Sequence, residues 1–380
     1  MACPDLLSLS VLRRLPYAQR LAVSSVLCLA VATVTRTTHR YLAPGLRRLS
    51  VCLPCITVLL FIPTLFDGTS NDELLTCLVL LAVVGWWATT RVLLVALGRA
   101  PLSRQLSLRS YAAELLLPVN TQRTAAGGGS HRTAGQLTLR FGVKLCLLAA
   151  ACTALVSTDS RFHVPLVRHA LYAIGMYAFL GALGDGPGAV MSSVVGVRLS
   201  PHFNNPFISA SCADFWGSRW NVTAAYLLRK SVYEPIMQGS LVGTDVDAGQ
   251  SSVVATPVKK RVTWKPSITR RAIAVCATFL ASGIAHELIL HQVSGSEMTG
   301  EWLLFFALQG PLLCAEALLK PLLPRSRLLI TPCSLLVLLL IGGQLFFPVA
   351  VRTGLDTRVV GAIMHNAKGV SAAFDSWLAI

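Results

Sequence analysis

Charged side chains are scarce in this sequence. They make up 13% of its 380 residues, whereas a soluble domain carries about 25%. Hydrophobic residues make up 54%, and the mean hydropathy is +0.62. So few charges cannot cover the surface of a water-soluble protein of this length, so a soluble class is excluded. The composition predicts an all-α, polytopic integral membrane protein, a bundle of membrane-spanning helices.

Acidic residues are scarcer still. There are 17 of them against 33 lysines and arginines, which gives a net charge of +16. The basic residues are scattered between apolar runs, an arrangement typical of the cytosolic ends of membrane helices near anionic lipid headgroups. We therefore expect membrane lipids, and no nucleic acid, as partners.

Three kinds of catalytic or structural motif are missing. Most of the 11 cysteines lie inside apolar runs, where a thiol packs as a small hydrophobe, so no disulfide framework is predicted. No G-x-S-x-G nucleophile motif occurs. The segment "HELILH" at 286–291 separates its histidines by five residues, whereas a helical zinc motif separates them by four, so no metal site is predicted.

Eight apolar runs are long enough to be membrane spans. They are 21–35, 49–66, 74–96, 142–157, 165–184, 272–292, 302–322 and 328–350. Arg91 leaves two ends open for the third span: the helix continues to residue 96, or it stops near Thr90 and "RVLLVALGRA" lies along the membrane surface. Basic loops at 36–48 and 98–140 are predicted to be cytosolic, and acidic loops at 67–73 and 293–301 luminal.

The predicted organisation has two parts. Residues 1–195 form N-terminal spans with a flexible cytosolic loop near 98–140, and residues 196–380 form a catalytic region. Segments rich in glycine or polar residues, at 124–135 and 239–260, are predicted to be flexible linkers.

Between residues 199 and 238 the chain is too aromatic for a linker. Apolar residues recur at helical spacing from Asn221, which predicts an amphipathic helix that ends before Pro235. On composition alone this is an interfacial anchor. The segment "DFWGSRWN" at 214–221, however, combines an acid, an arginine, an asparagine and three aromatic rings, which is costly unless the polar groups are paired.

Two ionisable residues, His286 and Glu287, lie inside the apolar stretch "FLASGIAHELIL" at 279–290. A polar group in hydrocarbon is a functional candidate by default, with a hydrogen bond between helices as the structural alternative. A neutral imidazole can accept a proton from a hydroxyl. Glu287 points about 100° away from His286 around the helix, so we expect it to pair with another helix. Small residues around Ser282 allow a helix or an acyl chain to approach the same face.

The two segments together resemble the plant and fungal wax-synthase-like branch of the membrane-bound O-acyltransferases. "DFWGSRWN" is similar to the branch's aspartate-phenylalanine-tryptophan-glycine motif. "SGIAHE" is similar to its serine-glycine-x-x-histidine-glutamate signature. The order of the motifs, their spacing and the multispan context agree with that family.

The resemblance implies specific roles for residues at the matching positions. The implied catalytic residues are His286, as the base, and Asn221. The implied acyl-CoA-binding residues are Trp216, Arg219, Trp220, Arg229 and Lys230. The implied supporting residues are Asp214, Phe215, Ser282 and Glu287. The resemblance also implies an internal substrate tunnel.

The implied activity is transfer of an acyl group from acyl-CoA to a lipophilic alcohol in the endoplasmic reticulum membrane, with no cofactor besides that co-substrate. A long-chain fatty alcohol giving a wax ester is the leading acceptor. A sterol, a diacylglycerol or a terpenoid are alternatives on the same scaffold. A different class remains open too: a transporter or lipid-binding protein with His286 and Glu287 as a proton relay. The sequence specifies no oligomeric state.

Overall fold

The regular elements of the described part of the chain are all helices. The computed structural model describes residues 9–118, 133–195, 201–245, 267–321 and 326–378. Its helices are α1 (Leu9–Arg13), α2 (Tyr17–Tyr41), α3 (Leu46–Phe61), α4 (Leu74–Leu80), α5 (Thr89–Ala96), α6 (Leu108–Leu116), α7 (Ala134–Val156), α8 (Pro165–Val195), α9 (Cys212–Asp214), α10 (Val222–Leu228), α11 (Glu234–Gln238), α12 (Ile268–Ser294), α13 (Glu301–Leu319), α14 (Arg327–Leu345), α15 (Phe347–Arg352) and α16 (Leu355–Leu378). Shorter 3-10 turns span Ile62–Leu65, Ser160–His163 and Pro206–Ile208, and π-helical turns span Leu81–Ala88, Phe215–Arg219 and Arg229–Tyr233.

Eight helical segments within the described residues are long and apolar enough to cross a bilayer, as predicted. They are Tyr17–Tyr41, Leu46–Leu65, Leu74–Ala96, Ala134–Val156, Pro165–Ser193, Ile268–Ser294, Glu301–Leu319 and Leu328–Arg352. The fourth begins eight residues before the predicted start at 142. A capping box between Thr133 and Gln136 starts it there, in a polar stretch that hydropathy does not detect.

Of the two possible ends of the third span, the structure has the later one, at residue 96, and a stop near Thr90 is not observed. Helical residues continue through Arg91 to Ala96. The Arg91 side chain is fully buried, its guanidinium lies 4.3 Å from the centre of the Trp87 ring, and it donates to the Glu114 carbonyl oxygen. The arginine is tolerated inside the helix because these contacts replace water.

The helix after Asn221 does not end before Pro235. Helical residues run from Val222 to Gln238, and the chain turns at Gly239, whose φ is 65°. Pro235 comes just after the π-helical turn Arg229–Tyr233 and near the start of α11. Proline has no backbone N–H to donate, and the change of hydrogen-bond pattern at the π-helical turn lets the helix continue through it.

The chain has a further long helix that hydropathy did not predict, α16. Asp356, Arg358 and Lys368 dilute its apolar character. Its apolar side nevertheless packs, through residues that include Ile363, against Leu148 on α7.

The protein divides into two compact units that interleave along the sequence, which differs from the predicted division at 195/196. Unit 1 comprises Met1–Asp67, Thr76–Pro118 and Leu227–Ala274. Unit 2 comprises Gly68–Leu75, Val119–Tyr226 and Val275–Ile380.

Within unit 1, a buried carboxylate gathers several basic side chains. Asp245 accepts two hydrogen bonds from Arg48, at 2.9 and 2.7 Å, and also pairs with Arg104 and His39. Burial alone would raise the pKa of Asp245, but hydrogen bonds from His39, Arg48 and Arg104 outweigh it and hold that pKa well below its ordinary value. The predicted linker at 239–260 is therefore packed at least as far as Asp245.

Two other arginines of the predicted loop at 36–48 also bind backbone in unit 1. Arg36 Nε donates to the Leu106 carbonyl oxygen at 2.9 Å, and Arg40 Nε donates to the Arg104 carbonyl oxygen at 3.0 Å. These bonds tie the loop at 36–48 to the segment after α5, at one end of the unit. Most of the predicted linker at 124–135 lies outside the described residues, as do residues 246–266.

Candidate active site

The imidazole of His286 is oriented by its own helix. Its Nδ1 lies 2.7 Å from the carbonyl oxygen of Ser282, one turn earlier in α12. A carbonyl oxygen can only accept, so Nδ1 carries the proton and the neutral ring has its lone pair on Nε2. This tautomer is the one that can take a proton from a substrate through Nε2.

Two aromatic rings from α13 pack against one side of the imidazole. The His286 ring stacks on Phe306, with centroids 4.0 Å apart and an interplanar angle of 30°. Trp302 presents an edge-to-face contact at 6.4 Å. The half-buried histidine therefore has an apolar wall on one side and can be approached by an alkyl or acyl chain.

Two glycines allow α12 and α13 to pack closely enough for these contacts. A Cβ on Gly283 would lie 2.8 Å from the Leu303 carbonyl oxygen, and a Cβ on Gly310 would lie 2.8 Å from the Cys276 Cα. Only hydrogen fits at either position. The small residues noted around Ser282 thus bring a helix against the face of His286.

Glu287 binds the start of α13. Its carboxylate accepts hydrogen bonds from the backbone N–H groups of Gly300, at 2.7 Å, and Leu303, at 3.2 Å. An acid at a helix N-terminus satisfies orphan donors and complements the helix dipole. Glu287 is therefore engaged with another helix, and its role is to position α13.

The motif at 214–221 folds into a tight turn organised by Asp214. This carboxylate accepts from Ala210 N–H at 3.0 Å, from Ser218 Oγ at 2.5 Å and from Arg219 Nε at 2.5 Å. Burial raises the pKa of Asp214, but these three hydrogen bonds outweigh it and leave the pKa below its usual value. The acid and arginine that looked costly in the sequence are paired with each other.

Trp216 connects the motif to α13, the helix that packs against His286. Its indole Nε1 donates to Gln309 Oε1 at 3.0 Å, and Gln309 is fully buried on α13. Its ring contacts Phe306 with centroids 5.9 Å apart. Phe306 therefore touches both Trp216 and His286, and it joins the two sequence motifs within unit 2.

The remaining aromatic residues of the motif pack among themselves. Phe215 and Trp220 stack with centroids 5.2 Å apart, and Trp220 meets Phe203 edge-to-face at 5.0 Å. The supporting role of Phe215 stays a prediction. These contacts leave the half-buried Trp220 ring in a structural contact, and its acyl-CoA role stays a prediction.

The predicted phosphate-binding cations have protein partners. Besides Asp214, the Arg219 guanidinium reaches the carbonyl oxygens of Asn204 and Asn205, both at 3.4 Å. Lys230 Nζ donates to Glu234 at 2.9 Å, and Arg229, with 67% of its side chain exposed, lies 3.5 Å from the same carboxylate. Arg229 and Lys230 belong to unit 1, and their role toward acyl-CoA stays a prediction.

Asn221 occupies a helix-capping position. Its backbone is left-handed, with φ 39°, a conformation that asparagine tolerates better than most residues. Its Oδ1 accepts from the Ala224 N–H at 3.1 Å at the start of α10. Within the described residues no hydrogen bond joins Asn221 to His286, so its predicted catalytic role rests on the resemblance.

A buried ionic cluster beneath the motif was missed by sequence reasoning. Lys144 on α7 binds Asp185 on α8 with Nζ and Oδ2 2.5 Å apart, and both side chains are almost fully buried. Arg140 donates to the Phe203 carbonyl oxygen at 3.0 Å, and Lys144 Nζ lies 5.6 Å from the Phe203 ring. Lys144 inside the predicted span 142–157 and Asp185 directly after the predicted span 165–184 were the available signal.

His202 lies beside this cluster and stays neutral. Burial, and then the charge of Lys144, lower its pKa to about 3. Its carbonyl oxygen accepts from the Val222 N–H at 2.9 Å, which ties the segment before the motif to the helix after it. The thiol of Cys212, at the start of the motif, has its pKa raised to about 11 by burial and by Glu316, which makes it a poor nucleophile.

The segment that holds this site is similar to a known protein family. A model of the membrane bound O-acyl transferase family matches residues 199–308, a segment that holds the motif, His286 and Phe306. The chain is 27% identical to the probable long-chain-alcohol O-fatty-acyltransferase 7 of Arabidopsis thaliana, over 88% of this chain and 93% of the relative. It is 25% identical to the long-chain-alcohol O-fatty-acyltransferase of Simmondsia chinensis, over 83% and 85%. It is 27% identical to the acyl-CoA–sterol O-acyltransferase 1 of Arabidopsis thaliana, over 73% of each chain.

Over this segment the chain is similar to the wax-synthase-like branch of the membrane-bound O-acyltransferases. The chain is an integral membrane acyltransferase with an all-α fold. The family match covers the residues that bring Trp216, Phe306 and His286 together.

Proposed function

We propose that the enzyme is an acyl-CoA-dependent O-acyltransferase that esterifies a long-chain fatty alcohol to a wax ester. One observation carries the proposal: the Nδ1–H of His286 is bound to the Ser282 carbonyl, so Nε2 can act as a base in an aromatic-walled site. The names of several relatives support the acceptor class.

The proposed reaction is a direct transfer. Nε2 of His286 takes the proton of the alcohol hydroxyl while the alcohol oxygen attacks the thioester carbon. The carbon–sulfur bond then breaks, and the CoA sulfur receives the proton from Nε2. The products are one ester and one free CoA, and no cofactor is involved besides the acyl-CoA co-substrate.

The acyl-CoA would bind from the cytosol. Its acyl chain would extend along the aromatic wall that includes Trp216, and its phosphates would be drawn to Arg219. The resemblance implies the same role for Arg229 and Lys230, which follow the motif in the sequence. We propose the endoplasmic reticulum as the membrane, since neutral lipid esters are made from lipids dissolved there.

A sterol is the second candidate acceptor. It is favoured by the similarity to the relative named acyl-CoA–sterol O-acyltransferase 1. Diacylglycerol and terpenoid acceptors have no such support. Similarity to these acyltransferases also favours an enzyme over the transporter or lipid-binding hypothesis.

The test is ester formation by purified protein given labelled palmitoyl-CoA with 1-hexadecanol, a plant sterol or both. We expect palmityl palmitate from the wild type, and a loss of at least about 100-fold in His286→Ala, because general base catalysis contributes about 10²- to 10⁴-fold. His291→Ala is the matched control. His291 lies on the same helix, and its Nδ1 likewise bonds a backbone carbonyl oxygen, that of Ser296, at 2.7 Å. Wild-type turnover by His286→Ala would refute the base, and exclusive sterol ester would move the acceptor to the second candidate.

A further inference from the structure

Unit 2 contains two apolar cavities that share a wall. The larger, which we call the groove, has a volume of about 1230 Å³, and the smaller, which we call the chamber, has a volume of about 170 Å³. The side chains lining both are Leu148, Cys152, Phe179 and Ile363. The groove lies along α7, α8 and α16, and the chamber continues from it toward α13.

The chamber borders the aromatic wall of the active site. Trp302 and Phe346 line it, and their rings stack with centroids 4.5 Å apart. Trp302 also makes the edge-to-face contact with His286. The chamber and the imidazole therefore lie against the same indole.

One carboxylate faces this apolar space. Asp356 lines the chamber with 6% of its side chain exposed. Its Oδ2 accepts from the Tyr172 hydroxyl at 2.6 Å and lies 3.7 Å from Arg168. Its Oδ1 is buried and has no hydrogen-bond partner among the described residues. A buried acceptor without a donor costs free energy that a ligand hydroxyl would recover.

Resting on the proposed function, we propose that the chamber and groove bind the acceptor alcohol, with its hydroxyl donating to Oδ1 of Asp356 and its alkyl chain running past the shared wall into the groove. A site of this kind selects a linear primary alcohol. A cavity of about 150 Å³ holds a single benzene ring, so the chamber admits a chain end and excludes a fused sterol nucleus. The groove exceeds the roughly 300–1,000 Å³ of pockets that hold drug-sized ligands, which leaves ample room for a long chain. Transfer of the hydroxyl to His286 requires the Trp302 indole to move aside.

Two substitutions test the site independently: one fills the chamber with a larger side chain, and the other changes its carboxylate. Gly175 lines the chamber, and a Cβ there would meet only the Ala151 Cβ, at 4.0 Å, so Gly175→Leu fills the space without a backbone clash. Gly142→Leu is its control, on a position of α7 with nothing within 4 Å. Asp356→Asn removes the charge and replaces one acceptor oxygen with an NH2 group, while the remaining oxygen can still accept from Tyr172. Asp159→Asn, in an exposed pair with Arg161, is its control.

The measurement is equilibrium binding of tritiated 1-hexadecanol to purified protein in nanodiscs without acyl-CoA, with unlabelled 1-hexadecanol or hexadecane as competitor. We expect Gly175→Leu and Asp356→Asn to weaken binding at least about 10-fold, as for loss of a hydrogen bond to a charged group. Both controls should bind like the wild type, and hexadecane should compete at least about 10-fold less well than 1-hexadecanol.

Wild-type affinity in either test variant, once its melting curve shows that it is folded, would overturn the proposal. Equal competition by hexadecane would overturn the role of Asp356. Because no acyl-CoA is present, binding is measured apart from catalysis. Saturable 1-hexadecanol binding without ester formation would reject the proposed function and keep the site. Ester formation without saturable 1-hexadecanol binding would reject the site and keep the proposed function.

Discussion

At the scale of single residues, one hydrogen bond to the backbone determines which nitrogen of His286 is free of a proton. The Ser282 carbonyl has two lone pairs, so it can serve the helix and the imidazole together. The bond turns the side chain back along α12 and toward the rings of α13. Phe306 then fixes the ring plane from the other side.

Glu287→Gln tests whether this carboxylate positions the catalytic wall. The neutral amide keeps one acceptor but loses the charge at the helix N-terminus, so we expect a loss of about 1–3 kcal/mol in the free energy of unfolding. The rate of ester formation should also fall, because a displaced α13 would move Phe306 away from its stacking position on His286. The measurements are thermal unfolding in detergent and turnover.

Glu297→Gln is the matched control, because it removes an exposed acid from the loop between the same two helices. An equal loss of stability in both variants would mean that general loop charge, and not the contacts with Gly300 and Leu303, is responsible.

At the scale of secondary structure, the site depends on the close crossing of α12 and α13. Gly283 and Gly310 lie where the backbones nearly touch. The crossing brings the indole of Trp216, the ring of Phe306 and the imidazole of His286 into a row. None of these contacts exists in an isolated helix.

Gly283→Ala should separate the two helices. Alanine favours an isolated helix by about 1 kcal/mol, but its Cβ would clash with the Leu303 carbonyl, and overpacking costs about 1–3 kcal/mol. We expect lower thermal stability and a larger loss of activity than of folded protein. Gly361→Ala, with open space at its Cβ, should be neutral or stabilising. Wild-type activity in Gly283→Ala would show that the crossing is not needed at this distance.

At the scale of the whole molecule, buried charges stabilise each unit from within. In unit 1 the Asp245 carboxylate pairs with the fully buried Arg48, and in unit 2 Lys144 pairs with Asp185. Removing one partner of such a pair leaves a buried charge uncompensated. The apolar bundle therefore contains polar connections between segments far apart in sequence.

Asp245→Asn should destabilise unit 1 by about 3–5 kcal/mol at neutral pH. The folded-state pKa of Asp245 is depressed, so its stabilisation is present above the unfolded value of about 3.9 and is lost as the pH falls below it. We expect the difference in unfolding temperature between wild type and variant to be constant from pH 7 to about 5 and to narrow below about 4. Intrinsic fluorescence in detergent measures it, and a difference that grows toward acid pH would contradict the assignment.

The parts of the protein that were predictable are those encoded locally. Hydropathy predicted eight spans, and the ionisable pair His286 and Glu287 stood out because hydrocarbon penalises such groups. Phe306 did not stand out, since a phenylalanine in an apolar helix carries no signal until two helices cross. Asp245 lies in a polar stretch that resembles a linker, and its burial depends on an arginine almost 200 residues earlier.

The ion pair between α7 and α8 has a consequence for biosynthesis. A lone lysine or aspartate at the centre of a membrane helix costs about 2.5–3.5 kcal/mol on translocon insertion scales. Lys144 and Asp185 neutralise each other only when their helices, separated by the short segment 157–164, lie side by side. The two helices are therefore expected to leave the translocon together as a hairpin. If translation paused between them, the Lys144 ammonium group would lie in the bilayer without its Asp185 partner.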